Sequence, residues 1–137
     1  MFVGWGSEPY FTEHAQDGTV LFAGQFGSGA GADSYRAYRF EWTGRPGGRP
    51  DALVTRNESG TVTVAASWNG ATEIRHWQVL AGRDANHLQL LKTVAKRGFE
   101  TPIAVETDEP FVGVRALDDR DSILGSSRAL AVLDEND

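Results

Sequence analysis

The chain contains no cysteine, which excludes disulfides, thiolate metal sites and a cysteine nucleophile. Positive charge is scarce as well. Thirteen Lys and Arg against nineteen Asp and Glu leave a net charge of −6. That balance argues against nucleic acid or an anionic membrane as partner, because either calls for a basic face. No run approaches the ~20 apolar residues of a membrane span, so none is expected. The opening "MFVGWGSEPY" has neither the basic leader nor the apolar core of about 7–15 residues that an export signal needs. As written, the chain is expected to carry no export signal of its own. Nucleotide and hydrolase fingerprints are missing too: "GSGAGA" lacks the Lys-Ser/Thr of a phosphate-binding loop, and no Gly-x-Ser-x-Gly occurs.

What is present favours short strands and turns. The 137 residues include 16 Gly, 7 Phe and 4 Trp, with 40% apolar content, enough for a core. That length suits one domain, or one of about 90 residues beside a smaller unit. In "TVTVAASW", Val62, Val64, Ala66 and Trp68 alternate with Thr61, Thr63, Ala65 and Ser67, the period of two of a half-buried antiparallel strand. "TVLFAGQF" places Val20, Phe22 and Phe26 on one face, with Gly24 permitting close backbone approach. "HLQLLKTVAK" carries Leu88, Leu91 and Ala95 at helical spacing and Leu88, Leu90 and Val94 at strand spacing; its flanking strands favour the strand. Asp17-Gly18 and Asn69-Gly70 are tight-turn signals, since their second residue tolerates positive φ.

The stretch "TGRPGGRPD" (43–51) cannot sustain a strand ladder and marks a boundary. Four strand runs precede it: "FVGWG", "YFTEHA", "TVLFAGQF" and "YRAYRFEW". Seven follow, near 51–57, 61–68, 73–81, 87–95, 99–106, 111–117 and 123–132. The expected fold is all-β. A four-stranded antiparallel meander over 1–43, like one propeller blade, precedes a Gly/Pro linker at 44–50. A seven-stranded immunoglobulin/fibronectin III-like sandwich fills 51–133, and 134–137 form an acidic tail. A meander of that size buries too little surface to be secure alone, whereas the second unit can stand by itself.

Two stretches carry a resemblance. "VGWGSEPYFTEHAQDGTVLFAGQF" and "SYRAYRFEWTGRP" resemble the last blade of arylsulfotransferase-like β-propeller proteins of actinobacteria. The matching residues are Gly4, Trp5 and Gly6; Phe11, Thr12 and Glu13; Asp17 and Gly18; and Tyr35, Arg36, Ala37, Arg39 and Trp42. Ser67 to Thr72, Trp77 to Gly82, "GFET" (98–101) and "V.ALD" (114–118) fit the region that follows the blade in such proteins. The tail from about residue 50 is also similar to a fibronectin type III sandwich, through Trp68, Trp77-Gln78-Val79 and Val112 to Ala116. The resemblance implies a C-terminal portion of such a protein, beginning at the first strand of a last blade whose neighbours would lie upstream. Full-length relatives would be exported.

The family reaction moves a sulfuryl group from a phenolic ester to another phenol through a channel histidine, with His, Asn and Arg side chains steadying its oxygens. None of His14, His76 and His87 matches that histidine's motif. His14 reads as an outer-strand residue, and His76 should face opposite Trp77. No two histidines share metal-ligand spacing. No catalytic, cofactor or metal residue is therefore assigned, and no cofactor is expected. Arg36 and Arg39 are candidates for facing an anion or substrate, against a reading in which their stems only cover apolar surface. Trp5 and Trp42, without neighbouring blades, are candidates for an exposed apolar patch. "DDRDS" (118–122) lacks the Gly and Glu of a calcium loop and reads as a solvated hairpin. "NES" at Asn57 matches a glycosylation sequon. The expected function is that of a structural, non-catalytic segment, inactive alone. Its partners would be the remaining blades, or a second copy through the exposed blade. The alternative is a fibronectin-like binding module for a protein or carbohydrate.

Overall fold

In a computed structural model, residues 1–27 and 36–134 are described, and the fold over them is all-β. The Gly-rich connection, Tyr35 and the last acidic residues lie outside the described residues. The chain divides into two compact units, Met1–Trp42 and Thr43–Asp137.

The first unit holds β1 (Phe2–Gly4), β2 (Tyr10–His14) and β3 (Val20–Gln25), antiparallel in the order β1-β2-β3. Asp17 accepts the Thr19 amide at 2.9 Å, and Gly18 at φ 88° completes the β2–β3 turn. Register sets Phe2, Glu13 and Phe22 in one row and Gly4, Phe11 and Gly24 in the next but one, so these share a face. Phe11 sits at the centre of that face, with the rings of Phe2, Phe22 and Phe26 at 5.4–5.8 Å. Its ring lies over Gly24, where an added Cβ would come within 2.2 Å of it, so the glycine makes room for the aromatic. Residues 36–42, the described part of the fourth expected run, are not assigned to a strand. Ala37 instead lies against Gly4, and Arg39 is ion-paired with Glu13.

The second unit is a two-sheet sandwich. One sheet joins β4 (Asp51–Arg56), β5 (Thr61–Ser67), β8 (Glu100–Glu106) and β12 (Leu133–Asp134) in the order β12-β4-β5-β8. The other runs β10-β9-β6-β7 through β6 (His76–Gly82), β7 (Gln89–Ala95), β9 (Phe111–Leu117) and β10 (Ile123–Ser126), with β11 (Leu130–Ala131) also on β9. This is the two-layer arrangement of an immunoglobulin/fibronectin III-like domain. The last expected run is broken at Ser127, whose amide and hydroxyl both bond the backbone of Val114. Beyond that break β11 still pairs with β9, and the chain then crosses to the other sheet of the sandwich, where β12 pairs with β4 in parallel.

Alternation fills the core as the period predicts. Val62, Val64 and Ala66 are buried on the inner face of β5, and Trp68, just past its end, is half-buried against the same core. They meet Trp77, Val79 and Ala81 of β6 and Val112, Val114 and Ala116 of β9. Bulk is complementary: Trp77 is paired with Ala116, and Ala66 with Thr101. Thr101, a buried polar side chain, donates its hydroxyl to the Arg97 carbonyl at 2.9 Å and accepts the Arg97 amide at 3.0 Å, which closes the β7–β8 loop. The strand reading of "HLQLLKTVAK" holds for β7, although Leu90 is exposed and Leu91 is bulged where the register shifts opposite Val79 and Leu80 of β6. The Gly/Pro stretch is fastened to this unit. Gly44 and Thr72 exchange hydrogen bonds, and Arg45 holds Glu73 through two more.

Candidate functional site

The face of the first sheet opposite the phenylalanines carries Val3, Thr12 and Ala23 in one row and Tyr10 and Gln25 in the next. Between β1 and β2 the chain turns tightly, with the Glu8 amide on the Trp5 carbonyl and the Trp5 amide on the Tyr10 carbonyl, both at 3.3 Å. That turn brings Trp5 and Glu8 beside Tyr10 and Thr12. With Ala23 and Gln25 they bound an open groove of about 530 Å³, mostly apolar, in which Glu8 is the one charged residue among the described ones.

A hydrogen-bond chain holds the groove wall. Trp5 Nε1 donates to Thr12 Oγ1 at 3.0 Å. Thr12 Oγ1 lies 2.8 Å from His14 Nε2, and His14 Nδ1 lies 3.1 Å from the Gly18 carbonyl. Because a carbonyl only accepts, Nδ1 carries the hydrogen and the Nε2 lone pair accepts from Thr12. Both ring nitrogens are therefore engaged, and the one in-plane lone pair, on Nε2, is taken by the Thr12 hydroxyl. The chain orients the Trp5 ring and fixes the His14 ring against Thr12.

The candidate residues fall on different parts of this unit. Arg39 is committed to Glu13, a carboxylate that largely cancels its charge toward an outside anion. Arg36 Nη1 donates to the Tyr38 hydroxyl at 3.0 Å. Trp5 lines the groove and is 53% exposed; Trp42, outside it, is 78% exposed. Tyr38 and Phe40 stack at 5.9 Å, so residues 36–42 present three rings at alternate positions. Thr12 and His14 were legible as partners in principle, since i and i+2 on a strand share a face. Nothing local, however, tied Trp5 to them across the turn.

In the sandwich, the acidic turns bind their own backbone. Asp118 Oδ1 accepts the Ser122 and Arg120 amides at 2.8 Å each, which holds its carboxyl below the usual range. Asp84 is held low by the Asn86 amide and by His87, whose Nδ1 is 2.9 Å away. Glu73 is lowered by the Arg45 hydrogen bond. His76 is half-buried beside the buried Trp77, with Nδ1 3.7 Å from Asp121. Among the described residues no group of three or more His, Asp or Glu is placed to hold a metal ion, and no helix is long and apolar enough to cross a membrane.

No family model, curated protein or solved structure matches this chain.

Proposed function

We propose that the chain is a structural, non-catalytic segment of an arylsulfotransferase-like β-propeller protein: a blade-like sheet followed by a fibronectin-like sandwich. The observation that carries this reading is the state of the first sheet. It has a four-ring cluster on one face and an aromatic groove on the other, yet none of its described residues is buried. Such a sheet has the composition of one covered by neighbours. Sulfuryl transfer needs cations and a nucleophile converging from several directions on one tetrahedral group. Here Arg39 is ion-paired with Glu13, and the His14 lone pair is engaged by Thr12 within the same sheet.

The test is a sulfuryl-transfer assay with phenyl sulfate as donor and a phenol as acceptor. The purified 137-residue chain should give no turnover above the uncatalysed rate. Robust turnover would refute the reading.

The groove favours a second reading, a binding module for a carbohydrate or a protein. An aromatic wall with Glu8 and Gln25 at hand is the composition of a site that stacks and hydrogen-bonds at once. Titrating oligosaccharides while following Trp5 emission decides it. A saturable change that Trp5→Ala abolishes supports the module.

A further inference from the structure

The open edge of β3 is the longest among the described strands to lack both charge and proline; the shorter terminal strands β1 and β10 share that composition. β3 pairs with β2 on one side, and among the described residues no strand pairs with it on the other. Its sequence, Val20 to Gln25, has neither charge nor proline, and Val20, Leu21 and Phe22 are each more than half exposed. A bare apolar edge of this kind offers unpaired amides and carbonyls to any incoming strand.

The sandwich treats its edges differently. β7 carries Lys92, which sits opposite Val79 and sends its ammonium to the Ala104 carbonyl of β8 at 2.8 Å. That contact occupies an acceptor on the outer side of β8 and puts a charge on β7. β8 itself carries Pro102 between Glu100 and Glu106. β4 is capped by β12 at Thr55 and Arg56 and carries Asp51 and Arg56. β10 is short and bulged against β9. All of these are ways of blunting an edge. The bulge at Leu21 interrupts β3 only at its start and leaves Phe22–Gln25 in regular register with β2.

We propose that β3 is a pairing edge and that its occupant is a second copy of this chain, joined antiparallel, β3 to β3. Among described strands of five residues or more, β3 is the only open edge free of charge and proline. In solution, the uncharged strand that fits it is therefore another β3. A two-fold axis through Ala23 sets Ala23 against its own copy and Phe22 beside the partner's Gly24, with no like charges opposed. The join makes one six-stranded sheet from two three-stranded ones and extends the phenylalanine face across both copies. It does not depend on the family reading: a monomer would end this proposal and leave the sulfuryl-transfer result untouched.

The experiment is sedimentation velocity on the full chain over a wide concentration range. A reversible dimer is expected. Ala23→Lys, at an exposed position, opposes two lysines at the axis and should raise the dissociation constant at least about tenfold. An equimolar mixture of Ala23→Lys and Ala23→Glu should restore association, a result that a merely unfolded sheet cannot give. Leu21→Lys, at the exposed bulge next to the pairing run, serves as a second variant if Ala23→Lys loses the ring-current shifts around Phe11. A wild-type monomer at all concentrations, as when residues 36–42 pair with β3 in their own chain, overturns the proposal. So does a dimer indifferent to both lysine variants, or an assembly that grows beyond two copies.

Discussion

The two units are written in the same strand vocabulary, but only the second acquires an interior. Among the described residues, every buried apolar side chain lies in the second unit, from Pro50 to Leu117. Ten of the sixteen large exposed hydrophobics lie in Met1–Trp42, the smaller unit. Alternation alone does not explain this, since the sequence runs that hold β3 and β5 both alternate. The difference is a second layer. The inner face of β5 meets β6 and β9, so Val62, Val64 and Ala66 lose all contact with water. The phenylalanine face of the first sheet has Ala37, Tyr38 and Arg39 beside it, and none of its described residues is buried. A residue buried on one sheet face needs something opposite it, and about 1.5–3 kcal/mol per large side chain is available only once that layer exists.

The widest contrast should lie in amide exchange. Amides of β5, β6 and β9 should exchange only through global opening, at about 5–15 kcal/mol for a domain of this kind. Those of β1, β2 and β3 should exchange with little protection in the monomer. Equal protection of both sets, measured by native-state exchange at a concentration below dimerisation, would mean that the first sheet has a buried layer after all.

Next in size is Trp77→Ala. Trp77 is fully buried against Ala116, so its loss leaves a cavity at the centre of the sandwich, and a cost of about 3–5 kcal/mol is expected in denaturant unfolding. The ring-current shifts of the Phe2, Phe11, Phe22 and Phe26 cluster should stay put in the same sample. A collapse of those shifts in step with the sandwich would show that the first sheet borrows its order from the second unit.

A finer distinction separates two similar turns. Asp17 and Asp118 each accept backbone amides, from Thr19 in one case and from Ser122 and Arg120 in the other, and both carboxyls are held below the usual 3.8. A depressed folded-state value means the stabilisation is complete above the ordinary carboxylate range and is lost as pH falls through the lower folded value. Acidification from pH 5 toward about pH 2 should therefore weaken the sandwich, and Asp118→Asn should flatten that slope in global unfolding. Asp17→Asn should leave it unchanged, because its turn belongs to the unit that does not limit unfolding. An equal response to the two substitutions would argue that the units unfold as one.

Much of the sandwich is legible in the residue pattern. Strands expected at 51–57, 61–68, 99–106 and 111–117 appear at Asp51–Arg56, Thr61–Ser67, Glu100–Glu106 and Phe111–Leu117. Polar/apolar alternation and Asp-Gly or Asn-Gly turns are local signals, and they survive folding when a second sheet arrives to use them. The run "YRAYRFEW" reads equally well as a strand, yet its described residues 36–42 are not assigned to one. Local preference offers an extended segment; a ladder needs a partner in register, and that partner is not encoded nearby. The site is less legible still. Trp5, Thr12 and His14 form one chain only because the turn at 5–10 and the β1–β2 register bring them together.

Residue order is enough to specify an all-β chain, where most strands begin and end, and which residues of β5 and β6 point inward. These follow from backbone geometry of period two and from turn residues that tolerate positive φ. Long-range packing is what leaves some strand edges open, carries β12 across to pair with β4, and docks 44–50 on the sandwich. Each of those depends on groups far apart in the chain meeting at hydrogen-bond distance, and no local pattern records such a meeting.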